Sequence, residues 1–154
     1  MPAPGTLAPT FEGTSQDKDT IRLSDYRGRR VALYFYPKDD TPGCTLQACN
    51  LRDGYRDLLK AGIAVLGVSG DDVASHEQFA EKYELPFPLI ADPDHQILEA
   101  YGVWGERNLY GRKFMGIKRT TFLIDEEGVI INVFKRPKVK EHTDEILQKF
   151  GVTL

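Results

Sequence analysis

Residues 31–44 read VALYFYPKDDTPGC, a run of six apolar residues followed by a polar turn that lies between two prolines. An apolar run without polar alternation is typical of a strand that is buried on both faces of a sheet. Proline is favoured at the first position of a helix, so Pro42 predicts that a helix begins there with Thr41 as its N-cap. A buried strand that leads directly into a helix indicates an α/β fold.

The rest of the chain continues this alternation of strands and helices. Strands are predicted at residues 11–14, 20–23, 31–36, 63–68, 87–91, 120–124 and 129–134. The first two form an N-terminal β-hairpin and the last two an antiparallel pair. Helices are predicted at residues 42–60, 72–83, 94–101 and 140–150. Residues 102–118 contain scattered glycines and show no clear period, so they are predicted to form a long loop.

Length and composition fit one domain over residues 1–154, because 154 residues with 41% hydrophobic content can build one core but not two. The formal charge is −3 and there is no long basic run, so nucleic acid is not expected as a partner. No apolar run approaches the roughly 20 residues of a membrane span. The N-terminus lacks the charge and apolar stretch of a secretory signal, so we expect a soluble, cytoplasmic protein.

Two cysteines are too few for a disulfide framework, so they are either incidental or reactive. With Pro42 first in its helix, Cys44 lies in the first turn. We expect the Thr41 hydroxyl to point at the amides of that turn. Free amides and the positive end of the helix dipole favour a thiolate over a thiol, which predicts that Cys44 is reactive.

Cys49 follows five residues later on the same predicted helix, which turns it roughly 140° from Cys44 and separates the two Cα atoms by about 8.6 Å. A disulfide needs Cα atoms within about 7 Å, so the pair can bond only if the first turns unwind. A zinc site is not predicted, because Cys-x4-Cys lacks the usual C-x2-C knuckle and His76, His95 and His142 are scattered. His76 is predicted to be a packing residue.

The pattern Pro37-x3-Thr41-x2-Cys44 resembles the active-site signature of the peroxiredoxins. Residues 44–49 (CTLQAC), followed by LRD at 51–53, are similar to the bacterioferritin comigratory protein (PrxQ) subfamily. The likeness runs from about residue 9 to residue 150. Further matching segments are DPDH at 92–95, YGVW at 101–104 and RTTFLID at 119–125.

This resemblance implies a thioredoxin-like fold, with a central mixed β-sheet flanked by helices, and a thiol peroxidase that reduces hydrogen peroxide and alkyl hydroperoxides. It implies that Cys44 is the peroxidatic nucleophile and that Cys49 resolves its sulfenic acid as an intramolecular disulfide. Thr41 would bond the thiolate and the peroxide, Pro37 would shield the site from water, and Arg119 would sit over the sulfur. The residues alone do not distinguish Arg119 from the other arginines nearby.

The resemblance further implies that thioredoxin (or glutaredoxin) is the reductant, that no metal, haem or flavin is required, and that the protein is a monomer. One departure is Gln47, where the subfamily commonly has glutamate. An amide can accept a hydrogen bond but carries no charge. Two alternatives remain open, a thioredoxin-like thiol-disulfide reductase and a redox-sensing module. Against the first, such reductases normally carry Cys-x-x-Cys.

Overall fold

A computed structural model describes residues 1–152. Its strands are β1 Glu12–Ser15, β2 Thr20–Arg22, β3 Arg30–Phe35, β4 Ile63–Ser69, β5 Leu89–Ala91, β6 Trp104–Leu109, β7 Arg112–Ile117, β8 Thr120–Ile124 and β9 Ile130–Phe134. Its α-helices are α1 Pro42–Asp53, α2 Tyr55–Lys60, α3 Val73–Tyr83, α4 Gln96–Ala100 and α5 His142–Lys149. A 3-10 helix spans Leu23–Tyr26.

Seven strands form one mixed sheet in the order β2-β1-β5-β4-β3-β8-β9. Strand β3 lies in its interior, parallel to β4 and antiparallel to β8. Its side chains alternate between two apolar cores, one on each face of the sheet, with Leu33 in one and Tyr34 in the other. The predicted doubly buried strand, the N-terminal hairpin and the final antiparallel pair are confirmed.

The predicted helix over residues 42–60 is wrong as a single element, because the chain breaks at Gly54 between α1 and α2. A Cβ atom at Gly54 would clash with Thr143 Cγ2, in the first turn of α5. Thr143 Oγ1 also donates a hydrogen bond to the Asn50 carbonyl at 2.9 Å. The close packing of α5 at this point therefore requires a glycine.

The predicted long loop over residues 102–118 is also wrong, because β6 and β7 pair there as an antiparallel hairpin. Tyr110 and Gly111 form its two-residue turn, with φ values of 52° and 80°. Two left-handed residues in succession match the twist of a tight hairpin. Most residues of both strands are exposed or only partly buried. Neither strand therefore carries the apolar alternation that marks a half-buried strand.

Within residues 1–152, no helix combines the length and the apolar composition that crossing a membrane requires.

Candidate active site

The loop between β3 and α1 carries Thr41 and Pro42 to the start of α1, as predicted. Thr41 is the N-cap, with extended backbone angles of −100° and 157°, and Pro42 opens the helix. The expected side-chain cap is absent, since Thr41 Oγ1 instead donates a hydrogen bond to the Lys38 carbonyl at 2.9 Å. The hydroxyl therefore closes the loop and leaves the amides of the first turn without a bond from this side chain.

Cys44 is 1% exposed and lies against Arg119. Arg119 Nη2 donates a hydrogen bond to Cys44 Sγ at 3.3 Å. Arg119 immediately precedes β8, and the pairing of Thr120 with Phe35 brings this end of β8 to the end of β3 that leads into the active-site loop. Sheet register thus selects Arg119 from the arginines that the sequence could not distinguish.

A glycine makes room for this arginine. A Cβ atom at Gly43 would lie 3.0 Å from Arg119 Nη2. That distance is tighter than an ordinary van der Waals contact, so a larger residue at Gly43 would press on the nitrogen that bonds Cys44. The backbone of the first helical turn and the guanidinium are therefore packed directly against each other.

Gln47 is the second acceptor of Arg119. Its Oε1 accepts a hydrogen bond from Arg119 Nη1 at 2.7 Å, while its Nε2 has no hydrogen-bond partner among residues 1–152. The fully buried hydroxyl of Tyr34 also lacks a partner there. Burial, reinforced by the negative charge available at Cys44, raises the pKa of Tyr34 well above its ordinary value, so Tyr34 remains a neutral hydroxyl. Two unused donors thus lie buried in the layer that holds Cys44.

Cys49 is a partly buried free thiol, and Cys44 is free as well. Both lie within the intact helix α1. Helix geometry therefore holds their Cα atoms about 8.6 Å apart, too far for a disulfide. The structure is that of the folded, reduced pair.

Pro37 lies at the edge of a groove of about 410 Å³ between the active-site loop and the β6–β7 hairpin. Its apolar lining includes Trp104, Phe114, Met115 and Ile117. Pro37 and Lys38 therefore place the start of the loop that leads to Cys44 at the wall of this apolar groove.

The same loop is anchored by a buried carboxylate that the sequence analysis missed. Asp39 Oδ1 accepts a hydrogen bond from Tyr36 Oη at 2.6 Å, and Asp39 Oδ2 accepts one from Ser75 Oγ at 2.8 Å. His76 Nδ1 lies 2.6 Å from Asp39 Oδ2. His76 Nε2 lies 3.1 Å from the Ile90 carbonyl, to which it can only donate. His76 is thus more than the packing residue that was predicted.

Asp71 joins this cluster. Its Oδ2 accepts hydrogen bonds from the Asp39 amide at 2.8 Å and from Ser69 Oγ at 2.7 Å. One ligand-type atom from each of Asp39, Asp71 and His76 lies within 4.8 Å of the others, a spacing that could hold a metal ion. These atoms already have partners in the protein, so the cluster is complete as a hydrogen-bond network.

Comparisons with known proteins agree with this geometry. A sequence model of the AhpC/TSA family matches residues 4–133. Peroxiredoxin Bcp of Escherichia coli is 48% identical over 143 residues, which cover 93% of this chain and 92% of that protein. Peroxiredoxin Bcp of Bacillus subtilis is 44% identical over 144 residues, which cover 94% and 92%.

Among solved structures, the bacterioferritin comigratory protein of Xanthomonas campestris superimposes with a TM-score of 0.86 and 35% identity, over 92% of this chain and 90% of that one. That protein was solved in trapped intermediate and ligand complexes that concern its alkyl peroxide reduction activity. The thioredoxin-like fold is thereby confirmed. With its family match, its relatives and its fold in agreement, the chain belongs to the peroxiredoxins of the AhpC/TSA family, in the Bcp or PrxQ subfamily.

Proposed function

We propose that this protein is a thiol-dependent peroxidase that reduces hydrogen peroxide and alkyl hydroperoxides at Cys44. The observation that carries the proposal is the hydrogen bond from Arg119 to Cys44 Sγ at 3.3 Å. A guanidinium is always charged and donates in a fixed planar fork, so it favours a sulfur that bears negative charge.

The first step is attack of the Cys44 thiolate on one peroxide oxygen. The S–O bond forms as the O–O bond breaks, and the other oxygen leaves as hydroxide or alkoxide and takes up a proton to become water or an alcohol. Arg119 and the uncapped amides at the start of α1 are donors that can stabilise the leaving oxygen. The peroxide is reduced by two electrons, and Cys44 is oxidised to a sulfenic acid.

The second step joins the cysteines. The Cys49 thiolate attacks the sulfenic sulfur of Cys44, the S–S bond forms, and the sulfenic oxygen takes up a proton and leaves as water. Because the folded helix holds the Cα atoms about 8.6 Å apart, the first turns of α1 must unwind before this bond can form. The break at Gly54 ends α1 after twelve residues, which limits the length of helix that has to be disturbed.

The third step returns two electrons and two protons from an external dithiol by thiol-disulfide exchange. We infer that thioredoxin supplies them. Thr41 and Pro37 are proposed as further site residues, with Thr41 fixing the loop through Lys38 and Pro37, at the wall of the apolar groove, shielding Cys44 from water.

We also infer that the protein acts as a cytoplasmic monomer, with residues 1–154 as one domain. A resolving cysteine in the same chain removes the need for a partner subunit. The family match over residues 4–133 supports one domain for that part of the chain. Sedimentation of the reduced and the oxidised protein tests the monomer, and a dimer in both states would contradict it.

The proposed function is tested by oxidation of NADPH through thioredoxin reductase and thioredoxin in the presence of hydrogen peroxide. The expected result is many turnovers for the wild-type protein and none for Cys44→Ser. A single turnover would instead indicate a redox sensor. Reduction of insulin disulfides without peroxide consumption would indicate a thiol-disulfide reductase.

A further inference from the structure

A strongly basic groove of about 440 Å³ begins at Arg119, beside the nucleophile. Segments from three parts of the chain meet there, namely strand β6, the turn before β8 and the segment after β9. Its charged lining consists of Arg107, Lys118, Arg119, Lys135 and Arg136, with Glu106 as the one acidic residue. Five cations against one anion is unusual in a chain whose net charge is −3.

These five cations have no carboxylate within salt-bridge distance among residues 1–152. Glu106 does not neutralise them, since its Oε1 lies 3.7 Å from Lys113 Nζ on the neighbouring strand. Lys118, Lys135 and Arg136 are exposed. The groove therefore presents a concentrated positive potential on an otherwise acidic protein, which is the arrangement that attracts an anionic partner.

The basic surface extends from the nucleophile toward the second cysteine. At one end Arg119 bonds Cys44 Sγ. Residues 135–140 read KRPKVK, so Lys138 and Lys140 follow the two groove cations Lys135 and Arg136 along this path. At the other end the Lys140 carbonyl accepts a hydrogen bond from Asn50 Nδ2 at 2.8 Å, and Asn50 directly follows Cys49. A ligand on this surface would thus lie next to the helix that holds both redox cysteines.

Large apolar side chains lie exposed beside the groove. Leu109, Tyr110, Phe114 and Met115 on the β6–β7 hairpin are 57%, 98%, 48% and 56% exposed. Strand β6 also lines the basic groove, so the apolar and the cationic surfaces adjoin. Protein interfaces combine apolar anchors with complementary charges, whereas a small anion or a nucleic acid backbone needs only the charges.

We propose that residues 135–140, together with Arg107 and Lys118, form the docking surface for the protein dithiol that reduces the Cys44–Cys49 disulfide. The partner is a small protein with acidic side chains around its dithiol and an apolar patch that meets the hairpin. This inference rests on the proposed function and adds the site at which the reductant binds. The chemistry is unchanged, since the dithiol delivers two electrons and two protons and is itself oxidised to a disulfide.

The test uses thioredoxin as the probe and compares it with dithiothreitol, a small dithiol that needs no docking surface. The variant is Lys135→Glu with Arg136→Glu. The matched control is Lys60→Glu with Lys149→Glu, two exposed lysines with the same change in charge. Lys60 precedes Ala61 and Lys149 precedes Phe150, and both of these neighbours contact Arg30. Arg30 begins β3, so the control positions lie at the end of β3 opposite the active-site loop.

At low ionic strength, we expect kcat/KM for thioredoxin to fall at least about tenfold more than kcat/KM for dithiothreitol in the first variant, but not in the control. Added salt should reduce kcat/KM for thioredoxin in the wild-type protein. The difference in this kcat/KM between the wild-type protein and the first variant should therefore become smaller. Equal losses for the two reductants, or an equal loss in the control, would overturn the proposal. An unchanged kcat/KM together with lost binding of single-stranded DNA would assign the surface to nucleic acid instead.

Failure of this inference is distinguishable from failure of the proposed function. Peroxide consumption with dithiothreitol depends on Cys44 and not on the docking surface. If dithiothreitol supports turnover while the charge reversals leave the thioredoxin reaction unchanged, the peroxidase stands and the docking surface does not.

Discussion

Arg119 donates hydrogen bonds to Cys44 Sγ at 3.3 Å and to Gln47 Oε1 at 2.7 Å. One guanidinium therefore holds the sulfur and an amide one turn later on the same helix. Because Gln47 is neutral, this acceptor leaves the positive charge of Arg119 uncompensated and available to the sulfur. The same contact also ties α1 to the start of β8, so the site is complete only while the first turns of α1 remain helical.

Replacement of Arg119 by lysine should reduce the second-order rate constant for hydrogen peroxide by about 10²-fold. Lysine keeps the charge but cannot bond Cys44 and Gln47 with one planar group. The measurement is stopped-flow fluorescence of Trp104, the single tryptophan, which lines the groove beside Pro37. Arg112→Lys, at an exposed position in the hairpin, is the control. A rate constant for Arg119→Lys equal to that of the control would exclude the proposed role of the guanidinium.

Replacement of Cys49 by serine should abolish sustained turnover with thioredoxin and leave the first oxidation of Cys44 intact. Without a resolving thiol, the sulfenic acid persists beside Arg119, where a second peroxide converts it to sulfinic acid. Whole-protein mass spectrometry against peroxide concentration measures this gain of two oxygens. Steady-state activity equal to that of the wild-type protein would contradict a resolving role for Cys49.

Replacement of Asp39 by asparagine should lower the free energy of unfolding by about 3 kcal/mol, measured by urea denaturation. The change keeps the shape but removes the charge from a pair whose side chains are 4% and 0% exposed, so His76 loses its carboxylate. Asp40→Asn is the adjacent control, because the ion pair of Asp40 with Lys82 is exposed and contributes little. Equal stability of the two variants would argue against the anchoring role of Asp39.

Stability should fall as the pH drops below about 6.5, in part because of His142. Burial lowers the pKa of His142, the bond to Glu145 acts in the opposite direction, and the charge of Arg119 lowers the pKa further. The unfolded chain therefore takes up a proton at pH values where the folded chain does not, which favours unfolding. In the folded chain the neutral ring can accept the Thr121 hydroxyl at Nε2 while Nδ1 faces Glu145, and a protonated ring could not accept it.

The measurement is the urea midpoint at pH 7.5 and pH 5.5 for the wild-type protein and for His142→Gln. The variant cannot titrate at this position, so its midpoint should change less between the two pH values. Asp40 does not contribute to the change in midpoint, because its bonds to Lys82 and Tyr83 lower its pKa below the usual 3.8, outside the range from pH 5.5 to pH 7.5. An identical shift in both proteins would remove His142 from the explanation.

The sequence predicted correctly those features that depend on residues adjacent in the chain. The apolar run of β3 and the Thr41–Pro42 start of α1 are local patterns, and both are confirmed. The hairpin β6–β7 was missed because its strands are largely exposed and carry no alternation. The break at Gly54 depends on a tertiary contact with Thr143 of α5, which no local pattern in the sequence shows.

The site was predictable to the same extent. The local pattern at the start of α1 is enough to predict that Cys44 is reactive. Identifying Arg119 as its partner requires the sheet register, which brings together two residues 75 positions apart. The Asp39–His76 pair joins residues 37 positions apart and has no local signature. The predicted direction of the Thr41 hydroxyl was wrong, because the loop turns so that the Lys38 carbonyl accepts the hydrogen bond of this hydroxyl.

One peroxide molecule should convert the two thiols of a single helix into a disulfide. Trypsin cleavage after Lys38 and Arg52 leaves both cysteines in the peptide 39–52. After one equivalent of hydrogen peroxide and alkylation without reduction, this peptide should be lighter by two hydrogens and carry no alkyl group. Contradiction would come from a peptide with Cys49 alkylated and oxygen on Cys44, or from a peptide linked to that of a second chain.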